Sequence, residues 1–182
     1  MTKVRNNYSK SSTFESKFTL DIFWSVREKT EKKTGALIIG PRDKFRIELG
    51  SDLFVSNGIE SWQYNKKTNQ VHTNNVKDMD LSSLPSQLFQ KYLFNYTYVE
   101  KSRNAGIATL VMHPDSSMVK EYTSVIIQVE LKSGIINSIK LTDKNDNVQT
   151  YTFTKTVFNS KVKSSVFNFV IPKNAEVFKD NE

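Results

Sequence analysis

The sequence predicts a mainly β domain, a sandwich or a barrel of short antiparallel strands that carries a few short helical segments. Three observations predict it. Roughly ten or eleven strand-length runs follow one another, separated by turn residues. The apolar share is unusually aromatic, with 12 Phe, 7 Tyr and 2 Trp in 182 residues, and bulky rings suit a pleated, half-buried surface. Residues 35–64 then read as a meander. Leu37 and Ile39 share a face, Gly40-Pro41-Arg42-Asp43 turns the chain, and Phe45, Ile47 and Leu49 alternate with Lys44, Arg46 and Glu48. Asn57-Gly58 is a hairpin turn signal after Leu53-Phe54-Val55, and Trp62 with Tyr64 begins the return strand.

Taken in order, the residues before Thr13 are polar, and they are either flexible or the first turns of an N-terminal helix. From Phe18 the alternation is plain: Phe18, Leu20, Ile22, Trp24 and Val26 on one side, Lys17, Thr19, Asp21, Ser25 and Arg27 on the other, with Phe23 the exception. The run Arg27-Glu28-Lys29-Thr30-Glu31-Lys32-Lys33 interleaves both signs and reads as a solvated turn. Leu81 to Leu93 is the convincing helix, with Ser82 or Ser83 as N-cap, Pro85 near the first turn, and Leu84, Leu88, Phe89, Tyr92 and Leu93 as its apolar side. So short a helix needs a sheet to lie on. Phe94 to Tyr98, Ile107 to Met112, Ser124 to Leu131, Ile135 to Thr142, Val148 to Phe153 and Val166 to Ile171 read as strands, with Ser133-Gly134 and residues 143–147 as the clearest turns.

Composition bounds the class. Length and an even composition fit a single domain, residues 1–182, with residues 1–13 as the flexible or helical start. No run approaches the roughly 18 apolar residues a membrane-spanning helix needs. The start MTKVRNNYSKSS lacks the apolar core of a secretory signal. The chain has no Cys, which excludes disulfides, thiol catalysis and a cysteine-held metal. A net charge of +7 suits nucleic acid, anionic lipid or an acidic protein alike. No catalytic constellation is legible: His72 and His113 stand far apart without a partner motif, and residues 143–147 lack the Gly and Glu of a calcium loop. The reading is therefore a non-enzyme without cofactor or metal. Aromatics that alternate with polar groups along strands point inward, as core or as cavity lining, which argues against a base-stacking nucleic-acid platform.

The order of several motifs resembles a known family. An aliphatic strand after Gly35, a Pro/Arg turn, Phe45-x-Ile47, Val55-Ser56-Asn57-Gly58 and Trp62-x-Tyr64 resemble the bacterial periplasmic lipoprotein carriers, the LolA family. Residues 139–153 follow at about the family's spacing. Phe167-Asn168-Phe169-Val170-Ile171-Pro172 with Ala175 and Val177 is similar to its closing strand and tail. The resemblance runs from about Phe14 to near the end. It implies a strongly curved, unclosed antiparallel β-barrel with a helical lid over an apolar cavity. The implied activity is that of a soluble periplasmic chaperone, with no chemistry of its own, that binds lipoprotein acyl chains and passes them from an inner-membrane exporter to an outer-membrane acceptor. A monomer without nucleic-acid partners is expected. An outer-membrane acceptor of the same fold, or a carrier of another lipid, is the alternative.

The cavity residues implied are Leu20, Ile22, Trp24, Leu37, Ile39, Phe45, Ile47, Leu49, Trp62, Leu84, Leu88 and Phe169. In the family the turn after the first meander strand reads Arg-Pro, and its Arg holds the lid closed. Here the order is Pro41-Arg42, so Pro occupies the family's Arg position, and a shift by one residue turns a side chain to the other face. A guanidinium on a long stem can span that shift, and Arg42 is the candidate lid latch. A solvated turn arginine beside Asp43 is the other reading.

Overall fold

The structure, a computed structural model, describes residues 1–78, 89, 92–114 and 122–179. Helix α1 (Thr2–Lys10) precedes β1 (Phe14–Trp24), and a short 3-10 turn at Ser25–Arg27 returns the chain through left-handed Glu28. A meander follows: β2 (Lys29–Ile39), β3 (Lys44–Leu49), β4 (Asp52–Asn57), β5 (Glu60–Asn65) and β6 (Gln70–Asn75). A second helix, α2, is described at Phe89 and residues 92–94. The second meander is β7 (Tyr96–Asn104), β8 (Ile107–Pro114), β9 (Ser124–Glu130), β10 (Ile135–Thr142) and β11 (Val148–Phe158), and β12 (Glu176–Lys179) ends the chain.

All of these strands form one 12-stranded sheet in the order β12-β6-β5-β4-β3-β2-β1-β11-β10-β9-β8-β7. Every neighbouring pair is antiparallel except β12 with β6. β12 and β7 are the two ends of the order, so the curved sheet is an unclosed barrel, the class the sequence implies. β1 joins the two meanders, pairing with β2 on one side and β11 on the other. The chain leaves β6 near one edge and resumes at β7 on the opposite edge, with α2 on the way.

Register divides the side chains between two faces, because directly paired residues share a face and neighbours along a strand alternate. The inner face carries Phe14, Phe18 and Leu20 of β1, then Leu37 opposite Ile47 and Ile39 opposite Phe45, and on the other side Phe153, Ile139 and Ile127. Val4 of α1 and Phe89, Tyr92 and Leu93 of α2 pack on this surface and complete the main core. The outer face carries Leu53 and Val55 of β4 opposite Tyr64 and Trp62 of β5. Phe169 covers these rings, with centroids 5.9 Å from both Trp62 and Tyr64.

Four expectations need correction. Residues 166–171 are not a strand: Ser164–Phe167 is a 3-10 turn and pairing begins only at β12. The reason is that Phe167 packs against Gly40 and Phe169 against Trp62, which lays the segment across the sheet rather than along its edge. The charged run from Lys29 to Lys33 is strand, paired with residues 20–24, and not a turn. The strand placed at Phe94 to Tyr98 starts at Tyr96, with Phe94 still helical, and continues to Asn104. The alternation of β1 buries Phe18 and Leu20 but leaves Trp24 37% and Val26 91% exposed, because the β1–β2 hairpin runs past the core. The helix read at Leu81 to Leu93 lies largely outside the described residues.

Candidate functional site

A hollow of about 610 Å³ lies at the end of the barrel where β1 begins and β2 ends. Its floor is aromatic. Tyr8 stacks on Phe89 with centroids 5.1 Å apart and meets Phe14 and Phe158 edge-on at 5.1 and 5.0 Å. Phe14 also meets Phe89 edge-on and lies stacked on Phe158. Four elements therefore contribute to one aromatic cluster: α1 near its end, the paired ends of β1 and β11, and α2. Ile39 adds an aliphatic wall.

The rim is polar, with Ser9, Ser11, Asn95, Arg42 and Asp43 around the opening. Arg42 and Asp43 are consecutive left-handed residues, φ +57° and +56°. This tight conformation is closed by the Gly40 N–H donating to the Lys44 carbonyl at 2.7 Å. The neighbouring turn fits against it: a Cβ on Gly58, which has φ +90°, would fall 2.5 Å from the Arg42 carbonyl oxygen. Only glycine satisfies both the positive φ and that approach. At the mouth the β2–β3 turn, braced from behind by the β4–β5 turn, thus faces residues of α1 and α2.

Electrostatically the floor is quiet. The Tyr8 hydroxyl accepts the Ile136 N–H at 3.1 Å, and burial pushes its phenol above the ordinary range, so the ring stays neutral. Burial, with the nearby Tyr122, likewise pushes Tyr151 up to about 12. Such a site offers apolar contact inside and hydrogen-bonding groups at the opening. That is the arrangement an amphiphile needs, chain inward and polar group outward.

The expected site residues fall in several places. Ile39 and Arg42 line this hollow. Leu20, Leu37 and Phe45 are buried on the inner face, and Ile22, Ile47 and Leu49 are half-buried there. Trp24 lies at the opposite end of β1, in a smaller hollow of about 330 Å³ with Val26 and Arg27. Trp62 and Phe169 touch one another on the outer face. Leu84 and Leu88 lie outside the described residues. Arg42 is exposed, and no hydrogen bond or ion pair of its guanidinium is found among the described residues. The arginine that does reach α2 is Arg5, whose Nε donates to the Leu93 carbonyl at 2.7 Å. Tyr8, Phe14 and Phe158 were not anticipated, although the alternation of β1 read back through Ser16 points to Phe14.

A family model described as outer membrane lipoprotein carrier protein LolA matches residues 9–170. The chain belongs to the LolA family. Its fold is similar to the crystal structure of an uncharacterized conserved protein from Thermus thermophilus, with a TM-score of 0.62, 15% identity, and 98% of this chain and 95% of that chain covered. It is also similar to a LolA superfamily protein from Nitrosomonas europaea, with a TM-score of 0.51, 7% identity, and 92% and 95% covered. At such identities the likeness speaks for the fold. A search of the curated proteins returns no significant match. LolA-family membership supports a carrier-type role, binding rather than chemistry. Among the described residues no group of three or more His, Asp or Glu is placed to hold a metal ion, and no helix is long and apolar enough to cross a membrane.

Proposed function

We propose that this LolA-family protein is a periplasmic carrier that shelters the acyl chains of lipoproteins, taking them from an inner-membrane exporter and delivering them to an outer-membrane acceptor. The observation that carries the reading is the aromatic-floored, polar-rimmed hollow between α1, α2 and the β1–β2 end of an unclosed barrel. Each methylene removed from water is worth about 0.8 kcal/mol, so a lipid anchor in transit through water needs an apolar host. In this reading Tyr8, Phe14, Phe89 and Ile39 contact the chains, and the buried residues behind them, Leu37 and Phe45, hold the wall in place. The polar rim receives the acylated end of the cargo, with Arg42 at the opening.

The test is direct. Protein purified from its own host and sprayed under native conditions is expected to carry extra mass from acylated ligand. Delipidated protein is expected to take up a fluorescent fatty-acyl probe, and Phe14→Asp is expected to abolish most of that uptake. A protein that carries no ligand and takes up no probe overturns the reading.

A further inference from the structure

The β2–β3 turn is held in a shape that costs energy. Arg42 and Asp43 are consecutive residues in the left-handed region, φ +57° and +56°, which residues with a Cβ disfavour. The Gly40 N–H on the Lys44 carbonyl and the close fit of Gly58 against the Arg42 carbonyl keep the turn so. Strain of this kind is found at ligand clamps, where it places a group before the ligand arrives. The exposed side chain that this turn brings to the rim of the hollow is Arg42. Its N–H donors find no acceptor among the described residues, and no ion pair joins it to Asp43, the other charged residue among the described lining. Asp43 is half-buried. On the α1 side of the opening, Ser9 and Ser11 present hydroxyls that likewise make no hydrogen bond among the described residues. Lys10, in the last turn of α1, offsets the partial negative charge of that helix end, and Lys161 follows the Ser160 whose carbonyl takes the Thr13 hydroxyl. Glu15, next to Phe14, pairs with Ile38 and so belongs to the other face of the sheet.

We propose that the hollow takes a single acyl chain ending in an anionic head, a carboxylate or a phosphate, and that Arg42 is the residue that selects the head. The inference rests on the carrier reading above, which seats the chain, and adds to it the charge of the ligand. A hollow of about 610 Å³ is of the size that holds one small ligand. Inside it the chain meets aromatic rings and Ile39, and apolar contact is non-directional, so the floor does not tell one head from another. Discrimination is left to the rim. A guanidinium gives a carboxylate or a phosphate two parallel N–H···O bonds, and serine hydroxyls can donate to a remaining oxygen. An uncharged head gains only ordinary hydrogen bonds there, and a cationic head meets Arg42 as a like charge. Because Arg42 stands in water, the gain is that of an exposed ion pair, about fivefold in affinity at most.

Displacement of an uncharged fluorescent acyl probe at about pH 8, where carboxylates are ionised, tests this with dodecanoate, dodecyl phosphate, dodecanol and dodecyltrimethylammonium on wild type, Arg42→Gln and Arg42→Lys. Each ligand is compared between proteins, because the four differ in their own solubility. Arg42→Gln is expected to weaken dodecanoate and dodecyl phosphate about fivefold, to leave dodecanol unchanged and to improve the ammonium. Unchanged dodecanol binding also reports that the variant is folded. Arg42→Lys is expected to keep part of the anion binding, since an ammonium retains the charge but not the paired donors. Added salt is expected to shrink the difference between wild type and Arg42→Gln. A loss for only one of the two anions names that anion as the head. An equal change for dodecanol and both anions, or no change for the anions, overturns the proposal and leaves the carrier reading in place. A wild type that takes up neither the probe nor any of the four ligands overturns the carrier reading itself.

Discussion

Gly35 shows how one residue sets the inner face. It pairs directly with Phe18 across β1 and β2, and the Phe18 ring lies over the place where a side chain would be. A Cβ there would fall 2.5 Å from Phe18 Cζ and 2.5 Å from the Glu48 carbonyl oxygen of β3. A ring can rotate away, but the carbonyl belongs to the next strand and yields only if the sheet shifts. Gly35→Ala is therefore expected to cost roughly 1–3 kcal/mol, as overpacking does, and to lower the melting temperature by about 2–12 °C for a chain of this size. A thermal melt checks it, and an unchanged midpoint would show that β2 and β3 slide freely. The sequence marks Gly35 as the start of a meander. It does not show that a ring on the preceding strand needs the space, because that depends on register.

Elements were legible in proportion to how much of their own core they carry. The meander from Leu37 to Tyr64 was readable because apolar and charged residues alternate and Asn57-Gly58 fixes the hairpin. α1 was readable only as one of two alternatives, flexible or helical, since its apolar stripe is only Met1, Val4 and Tyr8 among polar residues, and its order comes from side chains donating to distant carbonyls. The β10–β11 turn is intermediate. Its Asx residues announce a turn, but not that Asn147 Oδ1 also accepts the Ser25 N–H and ties the turn to the end of β1. The Asn147 side chain, with the Asn145 and Asn147 N–H groups, donates to Asp143 and holds its carboxyl below the ordinary carboxylate range. A depressed folded value means the stabilisation is fully present above the unfolded value, near pH 3.9, and is lost as the pH falls through the folded value. Melts of wild type and Asp143→Asn are thus expected to differ by a constant amount above about pH 5 and to converge in stronger acid. A gap that persists unchanged down to about pH 2, below the ordinary carboxylate range, would assign the effect to shape, not charge.

At the scale of the whole molecule the sheet works on both faces, and the two Trp residues report where a ligand sits. The hollow opens on the inner face near Phe14, at the start of β1. Trp24 ends the same strand, eleven residues long, and stands over the smaller hollow at the far end. Trp62 faces outward beneath Phe169. Between the mouth and Trp24 the inner face is filled by Phe18, Leu20 and Phe153, which are all buried, so among the described residues a chain seated at Tyr8, Phe14 and Phe89 finds β1 covered by side chains. A fatty acid brominated along its chain quenches an indole only on close approach. Bound as proposed, it is expected to leave the emission of both Trp24 and Trp62 nearly unchanged, while competing with the fluorescent acyl probe. Repeating the titration on Trp24→Phe and Trp62→Phe separates the two signals. Quenching confined to Trp24 would move the lipid to the far hollow, and quenching confined to Trp62 would move it beneath the C-terminal segment. Either result would take the cargo away from the aromatic cluster, and with it the reason for α1 and α2 to meet there.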